Sequence, residues 1–311
     1  MTEQNTVVSA CDQAYAWGVW LLIASMRKSG MSQPILIGAY NWQEQWRRDI
    51  EKFPNVKVVE LPIEDRRSVT CSKPKIMCEA QTDYITWVDC DGFFTADCTE
   101  QLTGAEDEIY LRPRTSGEVR DLYRRERRPA DQPNAIPGGI LDVWQLDVGE
   151  RAKPRYEHGI SAALISVHRK NLPFIKRWSE QMQKVLPADV SVVDAKSIAY
   201  FQTDESVLNS LLLFADDAPP ITRSYLADKT DGAHYIHFAF NPKPWIMWNR
   251  YSLRHYDATL DVVEWAIAAG YAPNAALPFP FQRKNRRAAF FLARFDRLVS
   301  RWRKLKKKLA R

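Results

Sequence analysis

The sequence predicts an α/β fold in which a mostly parallel sheet is flanked by helices on both faces. Short apolar runs typical of buried strands alternate with longer runs typical of helices, and polar residues follow several of these strands directly. The chain has 311 residues, of which 45% are hydrophobic, so it can bury the core of one large domain or two small ones. Ligands of such sheets bind at the carboxyl ends of the strands.

The first ninety residues or so have a βαβα order. Runs rich in Val, Ile and Tyr predict the strands, the pair Ser29-Gly30 ends the first helix, and Pro74 marks the beginning of the third. The predicted elements are, in order, strand Thr6–Ala10, helix Trp17–Lys28, strand Pro34–Tyr40, helix Trp42–Lys52, strand Val56–Leu61, helix Ser72–Gln81 and strand Tyr84–Val88. Beyond residue 158 we expect strand Ile160–Val167, helices Leu172–Val185 and Asp204–Phe214, and the short regular segments Tyr235–Phe238 and Pro244–Trp248.

The segment 112–158 interrupts this alternation. Its composition shifts to charge, proline and glycine, with only short apolar runs. The segment includes five arginines between residues 120 and 128. Such a composition is typical of a functional insertion or lid on the acceptor side of a site, which is the side where a second substrate binds, or of a solvated surface loop.

Two carboxylates separated by one residue follow the strand Tyr84–Val88. Alternate residues of an extended chain point the same way, so Asp89 and Asp91 can converge on one small volume, and Gly92 permits a tight turn. Mg²⁺ and Mn²⁺ prefer oxygen ligands and are held by one or two carboxylates together with substrate phosphates. The pair therefore predicts a divalent cation that holds a diphosphate, although acids at a strand end also cap turns.

Composition excludes several other classes of protein. The five cysteines are odd in number and form no CxxC pair, which indicates reduced thiols in a cytoplasmic protein and not disulfides or a structural zinc site. The apolar stretch Ala16–Met26 is too short to span a membrane, and we expect neither a signal peptide nor a transmembrane segment.

Positive charge is concentrated at the C-terminal end. Residues 283–311 contain thirteen Lys and Arg and one acid. Their excess of positive charge is larger than the net charge of +6 of the whole chain, so the remaining residues are acidic on balance. A nucleic-acid partner is therefore not expected. One apolar stripe runs through this segment at helical spacing: Phe291, Phe295, Leu298, Trp302, Leu305 and Leu309. A basic amphipathic helix of this kind predicts peripheral binding to an anionic membrane at the inner face of the cell membrane. Docking on the acidic body or on a partner is the alternative.

Six segments, taken in order, resemble the retaining nucleotide-sugar glycosyltransferases of the GT-A fold, most closely family 8, which includes glycogenin-like enzymes and bacterial lipopolysaccharide galactosyl- and glucosyltransferases. The most specific of them is His237–Trp245, HFAFNPKPW, which follows the family's His-x-x-Gly-x-x-Lys-Pro-Trp. The others are Ala10–Tyr15 (ACDQAY), Lys73, Asp89–Asp91 (DCD), Ile160–Ile165 (ISAALI) and Asp204–Asn209 (DESVLN). Together they span about residues 6–250.

The resemblance implies a role for each residue. Asp12 and Tyr15 would bind the uracil, since an aromatic face suits a planar base. Lys73 and Lys243 would contact the diphosphate or sugar and assist departure of UDP. His237 would join Asp89 and Asp91 as a metal ligand, and an imidazole favours Mn²⁺ over Mg²⁺.

Two departures from the family concern the sugar and diphosphate. Phe240 stands in place of a glycine, and Ser161 in place of an asparagine.

Glu205 occupies the position of a glutamine that lies beneath the anomeric carbon in family members. A carboxylate there could attack the sugar or stabilise a cationic transition state, whereas an acid at a helix N-terminus also suits the dipole. Asp204 would orient the sugar hydroxyls.

The resemblance and the residues together predict a metal-dependent hexosyltransferase that uses a UDP-sugar and a lipid-linked or lipopolysaccharide-type saccharide or glycolipid acceptor, with retention of configuration. An inverting enzyme, a sugar-nucleotide nucleotidyltransferase and an inactive membrane-recruited scaffold are the alternatives. The predicted organisation is a transferase domain over residues 1–260, a linker over 261–282 and the basic amphipathic helix over 283–311.

Overall fold

A computed structural model of the chain describes residues 4–61, 69–189, 198–224, 226 and 233–295. The strands of these residues are β1 (Asn5–Asp12), β2 (Ile35–Tyr40), β3 (Val56–Glu60), β4 (Tyr84–Val88), β5 (Gly92–Phe94), β6 (Ile109–Pro113), β7 (Ile160–His168), β8 (Ile221–Arg223) and β9 (Tyr235–His237). The helices are α1 (Ala16–Lys28), α2 (Glu44–Ile50), α3 (Lys73–Glu79), α4 (Ser116–Leu122), α5 (Gly138–Val148), α6 (Leu172–Val185), α7 (Asp204–Phe214), α8 (Tyr256–Ala268) and α9 (Arg286–Arg294).

The main sheet has the spatial order β3-β2-β1-β4-β7-β6-β8. Its strands run parallel except β7, which is antiparallel to both β4 and β6. Strands β1 and β2 are buried on both faces, which explains why their sequences are continuous apolar runs and not alternating ones. The predicted mostly parallel α/β fold is confirmed.

Two apolar cores lie against the sheet. One contains α1 and α8 and includes buried Trp20 and Val263. The other contains α3, α5, α6 and α7 and includes buried Trp144 and Trp178. The helices therefore cover both faces, as the alternating pattern predicts.

The segment 112–158 contains helices α4 and α5. Thr115 begins α4 with a capping box that is completed by Glu118. Val119 and Tyr123 join the second core, and so does Trp144, whose indole N–H donates to the carbonyl of Ala199 at 3.0 Å. Five residues of the segment, Val119, Tyr123, Ile136, Ile140 and Trp144, are buried and attach it to this core.

The C-terminal part differs from the sequence expectation in two respects. The expected regular segment Pro244–Trp248 is wrong: residues 244–246 form a turn and residues 247–248 are irregular. Their apolar character reflects burial of the rings of Trp245 and Trp248 in the first core. The expected boundary after residue 260 falls inside α8, because Leu260 and Val263 both pack in that same core.

Two features of the C-terminal end concern membranes. The described part of the predicted basic amphipathic helix is α9, and Leu298, Trp302, Leu305 and Leu309 lie outside the described residues. No helix in the part of the chain that the structure describes is long and apolar enough to cross a membrane.

Helix α1 approaches the chain that follows β4 very closely. A Cβ atom built at Gly18 would lie 2.5 Å from the carbonyl oxygen of Cys90 and 2.7 Å from the ring of Trp245. Only glycine permits this contact between the helix, the Asp89–Asp91 turn and the segment that follows β9.

Gly18→Ala should therefore lower the free energy of unfolding by about 1–3 kcal/mol, because the added methyl group meets a backbone carbonyl that cannot move cheaply. Chemical denaturation of the purified protein measures this change. Gly117→Ala in α4 is the matched control: apart from its chain neighbours and the backbone of its own helix, no atom lies within 4 Å of its Cβ position, so it should leave stability unchanged or raise it by about 0.5 kcal/mol. Equal effects of the two substitutions would contradict the packing described here.

Candidate active site

The carboxylates of Asp89 and Asp91 converge with the imidazole of His237 at the end of β4. Strand β5 begins at Gly92, which pairs with His237 of β9, and this two-stranded ribbon places the imidazole beside the acids. His237 Nε2 lies 3.0 Å from Asp91 Oδ1 and 3.7 Å from Asp89 Oδ2. One ligand atom from each of the three residues falls within 4.8 Å of the others.

Gly92 is required for this approach, since a Cβ there would lie 2.5 Å from the ring of Tyr235. The hydroxyl of Tyr235 donates to the backbone carbonyl of Asp89 at 2.5 Å. The indole N–H of Trp87 donates to Asp89 Oδ1 at 2.8 Å. Both contacts fix the position and orientation of Asp89, and neither was expected from the sequence.

Lys243 pairs with the second acid. Its ammonium lies 2.5 Å from Asp91 Oδ2 and donates to the carbonyl of Phe238 at 2.7 Å. Burial opposes the ionisation of Asp91, but His237 and Lys243 outweigh it and hold the pKa of this carboxyl below its ordinary value. Burial also lowers the pKa of His237, and the two carboxylates more than reverse this, so its pKa is raised.

Lys73 connects the first acid to α7. Its ammonium, almost fully buried, lies 2.9 Å from Asp89 Oδ1 and 3.0 Å from Asp204 Oδ2, and it donates to the carbonyl of Ala162 at 3.1 Å. Burial lowers the pKa of Lys73, but Asp204 and Asp89 overcome this effect and raise the pKa above its ordinary value. The side chain is thus a fixed cation between two anions.

A cavity of about 430 Å³ lies beside the acids and is lined by Asp12, Tyr15, Thr70, Asp89 and Asp91, among others. Asp12 ends β1 and accepts a hydrogen bond from the backbone N–H of Ala14 at 3.0 Å, which fixes the turn into the next helix. The structure therefore brings together, in one cleft, the residues expected to bind a base and those expected to bind a metal.

The ring of Tyr15 lies between the cavity and Lys243. It packs edge-on against Trp245 with ring centroids 5.5 Å apart, and the Lys243 ammonium is 5.9 Å from its centroid. The indole N–H of Trp245 donates to the carbonyl of Ala14 at 3.2 Å. The predicted Lys-Pro-Trp segment is thereby attached to the turn that holds Asp12 and Tyr15.

Asp204 and Glu205 form the first turn of α7. Thr203, just before the helix, has φ +45°, a region that β-branched residues rarely adopt, and its hydroxyl donates to Asp204 Oδ1 at 3.0 Å. Glu205 accepts a hydrogen bond from the backbone N–H of Ala162 at 2.9 Å and forms an ion pair with Arg114. The contact of Arg114 with Glu205 was missed in the sequence because Arg114 belongs to a segment in which arginines are frequent.

The three ligand residues suit a divalent transition metal. Two carboxylates and one imidazole supply oxygen and nitrogen donors, a set that accepts Mn²⁺ and leaves room for phosphate oxygens. Between 14% and 24% of each of the three side chains is exposed, so the donors are open to the cleft. Of the residues predicted from the sequence to bind a base or a metal, Asp12, Tyr15, Asp89 and Asp91 line the cavity, and His237 lies against the two acids.

No protein-family model matches the sequence, and no curated protein matches it. Solved structures do match. The bifunctional glycosyltransferase WbbM has a TM-score of 0.58 at 13% identity, over 92% of this chain and 52% of that chain, so this chain spans about half of the length of WbbM.

Two further structures match over most of this chain. An active-site variant of LgtC, in which glutamate replaces glutamine, has a TM-score of 0.55 at 12% identity and covers 85% of this chain and 95% of that chain. GlyE of Streptococcus pneumoniae TIGR4 has a TM-score of 0.52 at 12% identity, over 88% of this chain and 66% of that chain. At these identities the likeness is one of fold, and the chain has the GT-A-like α/β fold that these glycosyltransferases share.

Proposed function

We propose that the chain is a metal-dependent glycosyltransferase that moves a hexose from a UDP-sugar to a saccharide acceptor with retention of configuration. The observation that supports this most strongly is the Asp89, Asp91 and His237 cluster, which lies at the end of β4 beside a cavity with Tyr15 on its wall. The two acids follow the carboxyl end of β4, and ligands of open α/β sheets bind at this end of the strands, which supports a nucleotide site here.

The base and the diphosphate would occupy neighbouring parts of the cleft. Tyr15 offers a face for a uracil, and Asp12 offers carboxylate oxygens as acceptors for a base N–H group. Lys243 lies within 5.9 Å of the Tyr15 ring and 2.5 Å of Asp91, so its ammonium would stabilise a phosphate bound between the base and the acids.

Asp89, Asp91 and His237 would hold Mn²⁺ or Mg²⁺, with the imidazole favouring Mn²⁺. When bound, the metal would supply positive charge to the diphosphate oxygens as they become a leaving group. The chain itself provides Lys243 for the same purpose, and Lys73 holds the Asp89 carboxylate in position through a contact of 2.9 Å.

The hexose would lie near the beginning of α7. Asp204 is fixed by Lys73, which also holds Asp89, so the sugar and metal subsites share one buried cation. Glu205 borders the same region through its contact with Ala162. Retention is proposed because Glu205 occupies the position of the glutamine that lies beneath the anomeric carbon in the family that the sequence resembles.

The acceptor would be a saccharide of the lipopolysaccharide, capsule or glycolipid type. One matching structure is that of the galactosyltransferase LgtC in complex with donor and acceptor sugar analogues, at 12% identity. Arg112 and Arg114 form ion pairs with Glu118 and Glu205, so the exposed Arg124 and Arg125 are better placed to meet an anionic acceptor.

Association with an anionic membrane would bring the enzyme to such an acceptor. The described part of α9 exposes 63% of Phe291, and Phe295 follows with 42% exposed. Arg286, Arg287 and Arg294 line a groove next to Phe291. Aromatic and basic groups together are typical of a helix that lies at a membrane interface.

Vesicles that contain anionic phosphatidylglycerol should therefore sediment the full chain, and vesicles of phosphatidylcholine alone should not. The double variant Phe291→Ser and Phe295→Ser should reduce the bound fraction several-fold, whereas Phe279→Ser, which alters another exposed ring outside α9, should not. Equal binding to both lipid compositions, or no effect of the double variant, would contradict the membrane proposal.

The reaction itself is tested by release of UDP from a panel of UDP-sugars, in Mn²⁺, in Mg²⁺ and in EDTA, without added acceptor. One sugar should give slow release that depends on the metal. Asp91→Ala should abolish this release while the protein stays folded by circular dichroism, because it removes a metal ligand and the partner of Lys243.

The exposed Asp97 provides the control, since Asp97→Ala removes a carboxylate of the same kind whose contacts are with nearby Thr99. It should leave UDP release unchanged. Wild-type release in the Asp91→Ala variant would contradict the metal assignment. Release of pyrophosphate in place of UDP would indicate nucleotidyl transfer, and absence of metal-dependent UDP binding would favour a scaffold.

A further inference from the structure

Arg114 and Glu205 form a buried ion pair at the edge of the sugar subsite. The guanidinium Nε donates to Glu205 Oε1 at 3.2 Å, and Nη2 contacts the same oxygen more closely. Arg114 Nε also donates to the carbonyl of Ile160 at 3.2 Å. Only 14% of the arginine side chain and 12% of the glutamate side chain are exposed, so solvent screens neither charge well.

The second oxygen of Glu205 is also engaged, and the reason lies in the sheet. Between Leu111 and Arg112 the register of β6 against β7 shifts, so that Leu111 pairs with Ile165 but Arg112 pairs with Ser161. The residues of β7 between them, including Ala162, have no β6 partner. Glu205 Oε2 accepts the free N–H of Ala162 at 2.9 Å and replaces the missing strand contact.

Surrounding groups complete the enclosure of this pair. Tyr123 is 1% exposed and lies near both charges. Burial raises the pKa of its phenol, and the negative charge of Glu205 raises it further. Burial lowers the pKa of Arg114, but Glu205 outweighs it and raises the pKa. Asn209 Nδ2 donates to the backbone carbonyl of Glu205 at 2.8 Å. The carboxylate is thus fixed in position and its charge is balanced at contact distance.

We infer that Arg114 is a positioning residue that makes Glu205 half of a charge-neutral pair, so that Glu205 acts as an oriented hydrogen-bond acceptor in the sugar subsite and not as a covalent nucleophile. A carboxylate has about four lone-pair sites: Oε1 accepts two N–H groups of Arg114, and Oε2 accepts the N–H of Ala162 and keeps one site for a sugar hydroxyl. The guanidinium at contact distance balances the negative charge on which nucleophilic attack depends. The inference rests on the proposed transferase function and assigns a role within it.

The ion pair predicts how variants that remove the charge of Arg114, of Glu205 or of both should behave. Either single variant, Arg114→Gln or Glu205→Gln, leaves one buried charge without its partner. The double variant leaves two neutral amides that can bond to each other. If Glu205 acts only as an oriented acceptor, the double variant should recover most of what each single variant loses. If its carboxylate attacks the sugar, no variant that lacks it can recover.

Two double-mutant cycles test this. In thermal unfolding, the decrease in Tm of the double variant should be smaller than the sum of the decreases of the two single variants. This comparison tests the pairing independently of any catalytic assay. In UDP release from the donor identified for the wild type, each single variant should lose about 100-fold in kcat with less than about a threefold change in KM, and the double variant should return to within about tenfold of wild type. Arg114→Lys, which keeps the buried charge, should fold and show an intermediate kcat.

Arg112 provides the matched control. It is a buried arginine of β6, two residues before Arg114, and is paired with Glu118 at 2.6 and 3.1 Å, so Arg112→Gln should lower Tm without lowering kcat. Additive Tm losses would contradict the pairing. A double variant whose kcat is no higher than that of Glu205→Gln would contradict the acceptor role. A loss of Tm without a loss of kcat in Arg114→Gln, as expected for Arg112→Gln, would contradict the positioning role. Absence of UDP release from the wild type would instead contradict the proposed function, while the Tm cycle would still decide the pairing.

Discussion

The contacts of one buried lysine hold the cleft together. Lys73 is 3% exposed and pairs with Asp89, which follows β4, and with Asp204, which begins α7. A buried ammonium costs several kcal/mol unless its partners are well placed, so these two elements must meet at this point for the fold to be stable. The acid proposed as a metal ligand and the acid proposed to face the sugar are therefore positioned by the same ammonium group.

A second group of contacts adds the other half of the cleft. The ribbon of β5 and β9 brings His237 to Asp91, and the following segment brings Lys243 to the same carboxylate. These contacts are possible only because Gly92 leaves space for the ring of Tyr235 and Gly18 leaves space for the ring of Trp245. The backbone of Ala162 then joins the two halves, since its carbonyl accepts from Lys73 and its N–H donates to Glu205.

Much of this arrangement could be predicted from the sequence. The strands near the N-terminus are continuous apolar runs, and the Asp89–Asp91 pair and the Lys243-Pro244-Trp245 segment are local patterns with a direct chemical meaning. Arg114 could not be selected in this way, because its significance arises from a register shift between β6 and β7 that no local pattern shows. Helix α8 was missed as well, and its partner in the core, α1, is distant in sequence.

The most direct test of the account is a diffraction experiment on crystals grown with Mn²⁺ and UDP, with data collected where manganese scatters anomalously. The account predicts an anomalous peak bounded by Asp89, Asp91 and His237, with the diphosphate beside it and the uracil against Tyr15. A peak elsewhere, or UDP bound outside this cleft, would contradict the central claim that these residues form the metal and nucleotide site.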